Sequence, residues 1–162
     1  FQVYYHWSQG IETIYMPSLE SISGEFYVTY NYNIREVDLS SLQEVGSQFY
    51  LYEADDLDLL ELGSLEEVGS SLNIYGSNNL ETIDMSSLTE VNGSMTISYN
   101  TGLETLSAPL LENLSSSLYI QENTQLNSID FSSLCGISDF TIEGNDLSED
   151  DQYDLLVQLS GC

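Results

Sequence analysis

Apolar residues return along this chain in columns 23 residues apart. Ile11, Ile34, Leu57, Leu80, Leu103 and Leu126 make the first column, and three positions on stand Ile14, Val37, Leu60, Ile83, Leu106 and Ile129. A third column holds Leu19, Leu42, Leu65, Leu88, Leu111 and Leu134, and a fourth holds Ile22, Val45, Val68, Val91, Leu114 and Ile137. Each unit closes on an alternating pair: Val3/Tyr5, Phe26/Val28, Phe49/Leu51, Leu72/Ile74, Met95/Ile97, Leu118/Ile120 and, after a one-residue deletion, Phe140/Ile142. Alternation with period two is the signature of a strand with one buried face.

A coil with a single apolar edge cannot bury it alone, so successive coils stack and their strands pair as a parallel sheet along the array. The pairs predict seven such strands. The segments between them are short and rich in Ser and Gly, which predicts extended or 3₁₀-like arcs, with a second, weaker sheet near the Leu-x-x-Val columns. Gly24, Gly46, Gly69 and Gly93 recur just before the main strand, where a corner would call for positive φ. Asn31, Asn100, Asn123 and Asn145 follow the strands three residues after the second apolar position. An inward Asn there can satisfy backbone groups freed at a bend; Ser8, Ala54 and Ser77 interrupt the column.

The unit reads L-x-x-I-x-x-x-x-L-x-x-V-x-G-x-L-x-I-x-x-N, seen best from Leu80 to Asn100. It resembles the receptor L-domain type of repeat, known from ligand-binding lobes of growth-factor receptors and from cell-wall proteins of fungi. The resemblance covers nearly the whole chain. It implies a secreted or cell-surface protein that binds proteins or glycans, although the cysteine-rich modules and N-terminal cap of such receptors are missing from the sequence. The expected fold is mainly β: one right-handed leucine-rich solenoid of about seven coils with a parallel sheet and a short C-terminal capping helix.

Two segments are expected, the repeats over 1–146 and a cap over 147–162. The cap opens on Ser148 with Asp151 three residues later, a capping box, and Leu155, Leu156 and Leu159 then share a helical face. Cys135 and Cys162 are the two cysteines of the chain. A disulfide between them would tie the cap to the last repeat, adding about 3 kcal/mol in the chain-entropy model, and would suit an oxidising compartment. At the other end the chain opens directly on the strand-like run from Phe1 to Tyr5, without a leader pattern, which reads as a removed signal or an excised segment. The strand around Val3 would then present an open edge, so an upstream domain or a head-to-tail contact with another copy is expected to cover it.

Charge changes this picture more than composition does. Twenty-seven acidic residues face one cation, Arg35, for a formal net charge of −26, while 41% apolar content supplies a core. Such a surface disfavours nucleic acid and anionic lipid, and no run approaches the length of a membrane helix, so neither nucleic-acid binding nor membrane insertion is expected. The acids fall in columns, notably Asp38, Glu61, Asp84 and Asp130, with Asp58, Glu81 and Glu104 nearby. Calcium suits such oxygen ligands, but no dedicated loop motif is present. No cofactor or specific metal site is expected, only diffuse or weak calcium association. With one His, one Arg and no Lys, general-base chemistry has little to draw on, and no enzymatic activity is expected.

The candidate binding residues are the tyrosines and neighbours that alternate outward on the main strands: Tyr4, His6, Tyr27, Tyr50, Tyr52, Tyr75 and Tyr119, set among Thr29, Asn73, Thr96, Ser98, Gln121, Thr141 and Glu143. Tyr offers rigid apolar area with a polar tip, suited to protein and sugar surfaces alike. Trp7, Tyr30 and Tyr99 lie one position further and read as corner packing. Asn92 and Asn113 open N-glycosylation sequons. Two functions stay open: an extracellular recognition or adhesion module for a protein or glycan, and a structural subunit of an extracellular filament or matrix assembled through the N-terminal coil.

Overall fold

The structure, a computed structural model, describes residues 1–3 and 10–161. The repeat becomes a parallel β-solenoid of about six turns whose coils are three-sided, so that three sheets run its length rather than the one strong and one weak sheet expected. The seven-stranded main sheet orders Gln2–Val3, Phe26–Thr29, Phe49–Tyr52, Leu72–Tyr75, Met95–Ser98, Leu118–Gln121 and Phe140–Glu143 in sequence. A six-stranded sheet runs from Thr13–Tyr15 to Ser128–Asp130 on the Ile14 column, and a five-stranded one from Ser21–Ile22 to Asn113–Leu114 on the Ile22 column. Of the extended or 3₁₀-like arcs expected, the extended form is the one found, as short strands joined by tight turns. The count falls short of seven coils because the outer two sheets have fewer strands than the main one.

Register follows the repeat. Phe26, Phe49, Leu72, Met95, Leu118 and Phe140 are direct partners along the main sheet, so like residues stack on like. Phe26 and Phe49 stack with ring centroids 4.7 Å apart, close to the ~4.8 Å strand spacing. The four predicted columns are buried through the middle of the array, whereas Ile11, in the first coil, is 37% exposed. A fifth core column was not read from the sequence: Leu39, Leu62, Met85, Ala108 and Phe131 are almost wholly buried, with Met16 half-buried in the first coil. Its residues differ too much in size to read as a leucine column.

The glycines before the main strand do not adopt positive φ, contrary to expectation. A Cβ on Gly46 would lie 2.6 Å from the Ser23 carbonyl oxygen, and one on Gly69 would lie 2.4 Å from that of Gly46. Gly46, Gly69 and Gly93 lie where adjacent coils touch through backbone and leave no room for a Cβ, whereas Gly24, in the first full coil, meets no such contact. Left-handed backbone occurs instead just after the main strand, at Tyr30, Glu53, Gly76, Tyr99, Glu122 and Gly144, with φ between 54° and 69°.

That corner releases backbone groups, and the asparagine column takes them up. Asn100, Asn123 and Asn145 donate through Nδ2 to Ile74 O, Ile97 O and Ile120 O of the preceding coil at 3.1, 2.9 and 2.8 Å. The Asn100, Asn123 and Asn145 Oδ1 atoms accept the backbone N–H of Ser77, Asn100 and Asn123. Asn31 instead donates within its own coil, to Thr29 O at 2.9 Å.

The terminal helix, Glu149–Ser160, begins as expected: Ser148 Oγ accepts the Asp151 N–H at 3.1 Å, and Ser148 Oγ–H in turn donates to Asp151 Oδ2. Leu155 and Leu159 are buried against the last coil, where Gln158 Nε2 donates to Leu134 O at 2.9 Å and Ile137 N–H donates to Leu159 O at 2.7 Å. Among the described residues no cysteine is free, and Cys162 lies outside them.

Candidate functional site

Parallel register places like residues in rows on the outer side of the main sheet as well. Tyr27 pairs with Tyr50, and Tyr52 with Tyr75. Strand spacing sets rings on adjacent strands at stacking distance. Tyr27 and Tyr50 lie 4.7 Å apart at 8°, and Tyr52 and Tyr75 lie 4.7 Å apart at 13°. Tyr50 and Tyr52, on one strand, join the two rows at 5.8 Å.

The rows are closed at their corner by Tyr30 and Tyr99, which by sequence position alone read as corner packing. Tyr30 stands edge-on to Tyr52 at 5.3 Å and 76°, and Tyr99 tilts over Tyr75 at 5.0 Å and 41°. Both are about half exposed, so they extend the aromatic surface. Their signal was the left-handed corner column, visible as the 23-residue spacing of residues just before the asparagines. A side chain on left-handed backbone is swung out of the strand's alternation, which strand periodicity alone does not anticipate.

Burial, and after it the neighbouring tyrosines, raises the hydroxyl pKa of Tyr50; burial leads likewise for Tyr52 and Tyr75. The hydroxyls thus stay neutral donors at physiological pH. Glu53 shares the corner. Its carboxyl pKa is raised by burial first and by Asp55 second, and that of Asp55 is raised by burial and Asp56 against a lowering hydrogen bond from Asn78.

Other predicted positions lie elsewhere. Tyr119 is separated from this cluster by Asn73 and Thr96 in its row, and its hydroxyl reaches Asp139 Oδ2 at 3.5 Å. Thr29 and Ser98, expected on the open face, are buried at 6% and 3%, because the sheet turns into its corner there. Tyr4, His6 and Trp7 lie outside the described residues, whereas Gln2–Val3, the edge expected to be open, is the end strand of the main sheet and pairs with Phe26–Thr29. Asn92 and Asn113 are exposed, Asn92 donating to Glu67 Oε1 at 3.1 Å.

Three of the columnar acids have an architectural role. Asp38, Asp84 and Asp130 each accept through Oδ1 the backbone N–H two residues on, at 3.0, 2.9 and 3.1 Å, closing a turn at the end of the second sheet. This is the Asx turn, a local side-chain substitute for a backbone bond. Arg35 approaches Asp58 at 4.0 Å with both side chains mostly exposed, a pair of little energetic weight. Among the described residues no group of three or more His, Cys, Asp or Glu is arranged to hold a metal.

The family model described as Receptor L domain matches residues 52–133, half of the chain and most of the regular coils. The chain belongs to the receptor L domain family. No curated protein and no solved structure matches it. A receptor L domain is a non-enzymatic ligand-binding fold, typically extracellular, whose ligands are generally proteins. In this receptor L domain the match begins at Tyr52, inside the tyrosine cluster, and no described helix is long and apolar enough to cross a membrane.

Proposed function

We propose that this receptor L domain is an extracellular recognition or adhesion module whose ligand, a protein or glycan, binds across the tyrosine cluster of the main sheet. The observation that carries this reading is the ring continuity from Tyr27 through Tyr50, Tyr52 and Tyr75 to Tyr99, on a half-exposed sheet face. Contiguous exposed aromatic surface marks interaction sites, and Tyr gives contact area at small entropic cost.

The test compares the parent chain with a Tyr27→Ser, Tyr50→Ser, Tyr52→Ser variant on arrays of extracellular protein domains and of oligosaccharides. Parent-specific signals should fall at least about tenfold in the variant, the loss expected for removal of interface anchors. An array without signal, or signals that survive the substitutions, would overturn the reading.

An oxidised extracellular setting also fits a Cys135–Cys162 disulfide, since Cys135 carries no free thiol and the helix end is bonded to the coil containing it. Exposed Asn92 and Asn113 fit glycan acceptors in such a setting. Intact mass of the secreted chain, before and after reduction and alkylation, reads both features; a fully alkylated unreduced chain would remove the disulfide.

A further inference from the structure

The asparagine ladder stops one coil short of the strands that carry Tyr50 and Tyr52. In the C-terminal coils each buried asparagine serves two backbone groups of the coil before it. Asn100 donates to Ile74 O at 3.1 Å and accepts the Ser77 N–H at 3.0 Å, and Asn123 repeats both contacts one coil on. Ser77 holds the same place in the fourth coil, 23 residues before Asn100, and is fully buried. The groups that an asparagine there would serve are the Ala54 N–H and Leu51 O of the third coil, both in fully buried residues.

Serine is too short to serve them, because it lacks the carboxamide. The Ser77 hydroxyl oxygen lies in the interior without a hydrogen-bond partner. The Ala54 N–H therefore has no counterpart to the Oδ1 acceptors that meet Ser77, Asn100 and Asn123. Closer approach of the coils does not make up the difference. The two strands keep register from Phe49 and Leu72 to Tyr52 and Tyr75, and the Tyr52 and Tyr75 rings stand 4.7 Å apart, as do those of Phe26 and Phe49.

Three polar groups thus border one place in the core: a donor, Ala54 N–H; an acceptor, Leu51 O, with a second lone pair beyond its sheet bond; and a hydroxyl able to act as either, Ser77 Oγ. Unpaired buried groups are costly, and folded proteins relieve them with internal water that makes about three hydrogen bonds. One water accepting from Ala54, donating to Leu51 and bonding Ser77 reproduces what the carboxamide does elsewhere in the column.

We propose that the place between Ala54, Leu51 and Ser77 is a binding site for one structural water molecule, which stands in for the asparagine carboxamide and carries the ladder into the third coil. Ala54 follows Tyr52 and Glu53 directly, and Ser77 follows Tyr75 and Gly76, so this water supports the corner beneath the tyrosine rows. The site is independent of what the tyrosines bind.

The test is a crystal structure of the full chain at a resolution that shows ordered water, with the Ser77→Asn variant solved beside it. The parent should hold a water within hydrogen-bond reach of Ala54 N, Leu51 O and Ser77 Oγ. In Ser77→Asn the side-chain oxygen should accept the Ala54 N–H, its nitrogen should donate to Leu51 O, and the water should be gone. Completing the ladder should also raise the melting temperature by about 2–4 °C, the shift that one net hydrogen bond brings to a chain of this length. A parent in which Ser77 Oγ bonds Ala54 N–H directly, or in which no water lies between them, overturns the proposal. So does a variant that retains the water, or one whose melting temperature falls, since the place would then not have the shape of the ladder's carboxamide.

Discussion

At the scale of single residues, the coil is governed by where backbone comes close to backbone. Gly24, Gly46, Gly69 and Gly93 look equivalent in sequence, yet a Cβ on Gly24 meets nothing within 4 Å while one on Gly69 meets the Gly46 carbonyl oxygen at 2.4 Å. Gly69→Ala should therefore destabilise the chain by about 1–3 kcal/mol, the range for overpacking a closed site, whereas Gly24→Ala should change it little. Urea unfolding of the two variants checks this, and equal midpoints would refute it. The same column logic explains why Gly76 and Gly144 differ from the rest: each sits on left-handed backbone beneath a glutamate of the preceding coil, Glu53 and Glu122.

At the scale of elements, the main sheet and its asparagine ladder form one cooperative unit. Asn123 is fully buried, donates to Ile97 O and accepts the Asn100 N–H at 3.0 Å. Asn123→Ala would strand both backbone groups, at an expected cost of about 2–4 kcal/mol from two buried unsatisfied partners. Hydrogen exchange should show lost protection concentrated at Asn100 and its neighbours, because coils in a solenoid couple mainly to those adjacent. Exchange unchanged at Asn100 would show that the ladder is not a stabilising element. Ala54 occupies the same column in the third coil without any such bond, so the ladder supports the C-terminal coils specifically.

At the scale of the whole molecule, charge sets the response to pH. The folded-state carboxyl pKa values of Glu53 and Asp55 are raised, by burial above all, from 4.5 and 3.8. The folded chain thus holds these protons more tightly than the unfolded chain. Their contribution to stability is gained as pH falls through the folded values, is complete below the unfolded ones, and is lost as pH rises. General repulsion within a surface of charge −26 acts in the same direction. The melting temperature should rise on acidification from pH 7 toward the carboxylate range, and Glu53→Gln should raise it at pH 7 and flatten the slope. A melting temperature that falls over that interval would contradict the sign of both effects. Added salt should raise it at neutral pH by screening.

Much of this was legible in the residues alone. Strict 23-residue columns with a period-two pair admit stacked coils and little else, since a one-residue slip would turn every core side chain outward. The helix cap at Ser148 and the inward asparagines follow from local hydrogen-bond chemistry. What the sequence could not settle is how closely coils approach and which way a corner swings its side chain. Those depend on the stacking of residues 23 apart, and they decided that Gly46, Gly69 and Gly93 serve contact rather than positive φ, and that Tyr30 and Tyr99 belong with the tyrosine rows. Periodicity determines which side chains point inward; only the packed coils decide which outward ones meet.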